Sequence, residues 1–185
     1  RDGPAHYAVR LREDLIALVA GALEPVPPDP AEMAARLEPP WEWQDTPQAE
    51  AAVAWHSAGF LHTGCLRVAP PVRCRRTSEP EVTVTLAWRH RPDPEGVIEF
   101  AGAQAGRVTA PTGEFVGAVA DFNRALLAAM SRRVAELTFA GPPPGVALDL
   151  AQLHREHGNR AARLPRARTH PGATDWAAVR AGAGT

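Results

Sequence analysis

Five arginines define the chemistry this chain offers most plainly: Arg67, Arg73, Arg75, Arg89 and Arg91 stand in short segments where charged and apolar residues alternate. On β-strands that alternation turns the apolar members one way and the arginines the other. The five are therefore expected on one face of a sheet, with Thr83, Thr85 and Glu99 among them. A guanidinium presents a planar fork of donors that matches carboxylates bidentately, so the face is read as a surface for an acidic protein partner. The competing reading is a solvated face, or one covered by acidic residues of the helices such as Glu13, Asp14, Glu32 or Glu50. Base-stacking aromatics are missing from it and the formal net charge is only -1, so nucleic acid is not an expected partner.

A second constellation is Trp55, His56, Trp88 and His90, which would line a pocket between sheet and helices and make the protein a small-molecule binder or an enzyme. Packing is the usual fate of aromatics such as Trp41, Trp43 and Trp176. His154 and His157 lie three apart around Glu156, which is not the HExxH zinc pattern, and no metal or cofactor is expected. Neither Cys65 nor Ser57 beside His56 has a base and an orienting group at a defined spacing. All 20 basic residues are Arg, which removes Schiff-base chemistry and the phosphate-loop lysine. Gly-rich phosphate loops, nucleophile elbows and paired catalytic carboxylates are also missing. The balance falls toward a non-enzymatic interaction or accessory protein, of immunity type, that uses the Arg face or an open sheet edge.

The elements that must position these residues are legible from periodicity. Leu11, Leu15, Leu18, Val19 and Leu23 recur at helical spacing over Tyr7 to Glu24, with Arg10, Arg12, Glu13 and Asp14 on the wet side. Asp29, Pro30 and Glu32 open a short helix to Leu37, and Thr46-Pro47 opens another to about Ser57. Strands are expected at Leu61 to Val68, Val72 to Arg76, Val82 to Arg91, Val97 to Ala101 and Arg107 to Ala110, joined by Pro- and Gly-rich turns. In the first hairpin, pairing Leu66 with Cys74 and Val68 with Val72 gives a clean apolar face and sends Cys65 and Cys74 to opposite sides. Thr112 caps a long helix over Gly113 to Phe139, whose apolar stripe covers the sheet. Asp149 with Gln152 opens a helix to about Leu164, and Trp176 and Val179 mark a last short docking helix before a frayed end from Ala181.

The fold class that results is α+β: an antiparallel sheet of four to five strands with helices packed on one face, in a single domain over 1–164 followed by a tail over 165–185. At 185 residues with 45% hydrophobic and 22% charged residues, the chain can bury a sizeable core. No apolar run approaches the roughly 20 residues of a membrane span, and two cysteines do not make a disulfide framework. The expected setting is soluble, reducing and cytoplasmic, with no membrane partner.

Read together, YAVRLREDL, PPWEWQD, VTVTLAWRHRPDPEG, EFVGAVADFNRALLAAMSRRVAEL, PPPGVALDLAQL and ATDWAAVRAG cover nearly the whole chain. In these segments the chain resembles an uncharacterised, mostly actinobacterial family, a bacterial domain of unknown function. The resemblance carries no catalytic residues with it. It implies a further aromatic-rich segment upstream of Arg1, so that a missing segment or a partner chain would complete the sheet.

Overall fold

The computed structural model describes residues 4–29, 38–39, 41–42, 44–61, 71–77, 83–90, 93–97, 102 and 105–184. Helix α1 spans Pro4–Leu23 and buries Ile16, Leu18, Val19 and Ala22. Its phase corrects one expectation. Arg12, assigned to the wet side, lies one and two turns before Ile16 and Val19 and is fully buried, at 0% exposure. Its Nε donates to Asn123 Oδ1 at 2.7 Å and an Nη to the Arg160 carbonyl. Acceptors on two other helices thus draw it into a crevice that hydropathy alone left to apolar residues. Helix α2, Pro47–Ala58, starts as its sequence demands, with Pro47 in the first turn and the Thr46 hydroxyl accepting from the Ala49 N–H at 3.1 Å.

The sheet consists of β1 Val72–Thr77, β2 Thr83–Arg89 and β3 Ala105–Pro111, antiparallel in that order. Three strands stand among the described residues where four to five were expected. The strand expected at Leu61 to Val68 lies outside the described residues beyond Leu61, as does that at Val97 to Ala101 beyond Val97. Cys74 pairs with Leu86 and Leu86 with Val108, so Cys74, Val84, Leu86 and Trp88 share the core face, while Arg73, Arg75, Thr85, Arg89 and Arg107 share the other. Leu66, the expected partner of Cys74, lies outside the described residues. β2 holds one side of Cys74 and Gly59 the other, where the Cys74 N–H donates to the Gly59 carbonyl at 2.8 Å. The chain leaves α2 directly onto β1, and Gly59 permits it: a Cβ there would stand 3.2 Å from the Cys74 carbonyl oxygen.

Helix α3, Thr112–Ala140, closes over this core face with Phe115, Val116 and Val119, which meet Val84 and the α1 residues in one cluster. Thr112 is not its cap. β3 runs to Pro111 with no intervening loop, so Thr112 is already helical and buried. The single helix expected after Asp149 is divided at Ala162 into α4, Leu150–Ala161, and α5, Arg163–Thr169. Leu164 of α5 enters the core. Helix α6, Trp176–Ala183, is capped by Asp175 and lies along α2, with Trp176 edge-on to Trp55 at 5.5 Å. Rather than fraying from Ala181, its end is held where Gly182 passes the Gln48 carbonyl so closely that a Cβ would collide. No helix among the described residues is long and apolar enough to cross a membrane.

Candidate functional site

β1 is an edge strand whose outer side is only half covered. The Leu61 N–H donates to the Val72 carbonyl at 2.9 Å and the Cys74 N–H to Gly59, after which the covering chain becomes α2. Backbone groups of an antiparallel strand point alternately to its two sides. The Cys74 carbonyl and both backbone groups of Arg76 therefore point outward, and no backbone group among the described residues pairs with them. Beside this open half lies a cleft of about 580 Å³. Its walls come from α1 through Ala17, Leu18 and Gly21, from α2 through Ala54 and Trp55, and from α6 through Val179. The small residues on the facing sides of α1 and α2, among them Ala17, Gly21, Ala51 and Ala54, leave the space between them unfilled.

The charged groups of the cleft are positioned by this arrangement. Arg73 is 4% exposed; it donates to the His56 carbonyl at 2.7 Å and lies 4.9 Å from the centre of the Phe60 ring. It thus acts on the C-terminal end of α2, where carbonyls lack helical partners. Burial lowers its pKa to about 10, with Arg75 adding to the effect. Arg75 is partly buried, and its pKa is lowered by burial and then by Arg107 across the sheet. Arg76 donates to the Leu23 carbonyl at the end of α1, 2.8 Å away. Buried Glu24 accepts from the Thr174 N–H and hydroxyl, and Asp175 accepts from the Ala178 N–H. Glu24 therefore fastens the C-terminal segment into the cleft wall, while Asp175 caps α6. The Cys74 thiol is pushed up to about 12 by burial, with Arg73 opposing.

The expected Arg face divides. Arg67 and Arg91 lie outside the described residues. Arg73 points to the expected side of β1 but is covered by the end of α2, which corrects its assignment to a docking surface. Arg89 is open, with 61% of its side chain exposed and only a 3.9 Å ion pair to Glu38. Arg107 also falls there; it stood in the strand expected over Arg107 to Ala110, but the register that sets it opposite Ala87 was not read from the sequence.

The expected Trp and His pocket does not form as a group. Trp55 lines the cleft. His56 instead faces Trp41, edge-on at 5.6 Å, and Phe60 at 5.4 Å. Trp88 lies on Gly106 across the sheet, and His90 follows the end of β2, so neither is part of the cleft wall. His154 and His157 each turn to α3, meeting Thr138 and Ser131 at 3.0 and 2.8 Å. Among the described residues no three His, Cys, Asp or Glu side chains gather as a metal requires.

Fold and cleft together define a mixed α+β protein with an antiparallel sheet, three-stranded among the described residues, and a recess beside β1. Its chain belongs to the family of unknown function DUF5984, whose family model matches residues 2–182. No curated protein and no solved structure matches it.

Proposed function

We propose that this is a binding protein that takes its ligand in the cleft beside β1. The observation that carries this reading is the cleft itself: its volume of about 580 Å³ lies within the roughly 300–1,000 Å³ of ligand sites. Trp55 and the exposed Ala17 and Ala54 supply apolar contact, and the outward-pointing backbone of Arg76 supplies orientation. The one thiol in the wall is held protonated by burial, the reverse of what a thiol nucleophile needs, which favours binding over thiol catalysis.

The test is titration with 1-anilinonaphthalene-8-sulfonate, an apolar molecule with one anionic group. One saturable site is expected in the native protein, and Ala54→Trp, which places an indole in the cleft, should weaken it at least tenfold while still unfolding cooperatively. Equal affinity in the two folded proteins overturns the reading. A second reading, docking of an acidic protein on the sheet face, is favoured by the exposure of Arg89 and Arg107 on one side of the sheet. Arg89→Glu with Arg107→Glu would abolish binding in that case and leave the cleft probe unaffected.

A further inference from the structure

This inference rests on the cleft reading and concerns how that site is opened and closed. We propose that the C-terminal stretch His170 to Gly184 is a latch whose docking is coupled to occupancy of the cleft: a ligand tightens it, and its release opens the site. The latch is held by tertiary contact. α6 has only eight residues, and a helix that short is not stable by itself in water. Its anchor is Val179, 1% exposed. Around it Trp176 sits edge-on to Trp55, Gly182 passes the Gln48 carbonyl, and the Arg180 guanidinium forks onto the Asp29 carboxylate. The last of these is an exposed pair, which contributes little in water. The connection before α6 has no regular structure, and its Pro171, Gly172 and Ala173 are exposed. The chain can therefore swing there while α5 stays fixed by Leu164 in the core. Segments built in this way open at a lower free energy than the whole domain.

Coupling follows from the residues that latch and cleft share. Gly172, Thr174 and Asp175 form the accessible part of one cleft wall, and α1 and α2 supply the walls that face it. Trp55 both lines the cleft and seats Trp176. Glu24 lines it as well and accepts from the Thr174 N–H and hydroxyl. Gly172 passes so near that a Cβ there would stand 2.8 Å from the Glu24 carboxylate. Release of the latch removes this wall and takes from Trp55 and Glu24 the neighbours that fix them. A ligand that touches both walls therefore binds the docked state better, and by linkage it holds the latch shut. A ligand that binds the docked state alone suppresses opening by 1 + [L]/Kd, about elevenfold at ten times its Kd.

The test is amide hydrogen exchange of the native protein, with and without 1-anilinonaphthalene-8-sulfonate at about ten times its Kd. The amides of Val179 to Ala183 should exchange faster than those of Val116 and Val119 in α3. The probe should slow them about tenfold and leave the far end of α3 around Phe139, which does not border the cleft, unchanged. Gly182→Val, which drives a side chain into the Gln48 backbone, should speed α6 exchange and weaken the probe at least tenfold in a protein that still unfolds cooperatively. Amides of α6 that exchange no faster than those of Val116 and Val119 overturn the latch. So does undiminished probe affinity in a Gly182→Val protein whose α6 exchange has accelerated. If the probe remains sensitive to Ala54→Trp but leaves α6 exchange unchanged, the latch falls and the cleft stands. If the probe fails to bind, or binds without that sensitivity, the cleft reading falls and the latch with it.

Discussion

Replacing Gly21 by leucine tests the reality of the cleft through stability alone. Gly21 lies in the last turns of α1, and nothing stands within 4 Å of the position its Cβ would take, because that position opens on the cleft. Glycine within a helix costs about 0.5–1 kcal/mol relative to alanine. The rest of the leucine side chain would cover part of the apolar wall at Trp55, adding about 1 kcal/mol if some 40 Å² leaves water at about 25 cal/mol per Å². Gly21→Leu should therefore stabilise the protein by about 1–2 kcal/mol. For a chain of this size that corresponds to a rise in Tm of roughly 3–6 °C. Urea titration followed by circular dichroism measures the change, with an m-value like that of the parent. A lowered midpoint would refute the reasoning, since the leucine would then be colliding with atoms that fill the space.

Other contacts give further expectations. Arg73→Met removes the charge-assisted bond to the His56 carbonyl and the guanidinium over Phe60 while keeping most of the stem. It should cost about 2–3 kcal/mol in urea unfolding, whereas a merely solvated arginine would cost under about 0.5 kcal/mol. Gly182→Val drives a side chain into the Gln48 backbone, so α6 should detach from α2; limited proteolysis near Thr174 should speed up at least tenfold, and an unchanged rate would contradict the contact. Burial raises the Cys74 thiol from 9.0 to about 12, so the folded state keeps a proton that the unfolded chain loses. Stability contributed by the thiol is present below pH 9 and is lost as pH rises through the window to about 12, at up to about 1.4 kcal/mol per pH unit. Arg73, lowered to about 10 by burial, works in the opposite sense above pH 10, so pH 9 to 10 is the clean interval. There the Cys74→Ala variant should lose less stability than the parent, and equal losses would refute the burial of the thiol.

What the sequence revealed follows the physics of each segment. The Val82 to Trp88 alternation is a period-2 signal on a half-buried strand, and it placed Val84, Leu86 and Trp88 on the core side. Caps read just as directly, because Thr46 and Asp149 act on amides three residues away. The cleft was not legible, since it is made by segments distant in the chain: the end of α2, half of β1 and the stretch Gly172 to Val179. Arg73 and Arg12 misled for one shared reason. Hydropathy assigns a guanidinium to water, but helix-end carbonyls from other elements can meet its donors in the interior, as those of His56 and Arg160 do here.

The most direct measurement is an amide-resolved NMR titration of the native protein and of Gly21→Leu with 1-anilinonaphthalene-8-sulfonate. The account predicts shifts concentrated at the cleft residues Gly21, Ala54, Trp55 and Arg76 in the native protein, and their loss when leucine fills the cleft. Shifts centred on Arg89 and Arg107 that persist in the variant would contradict it.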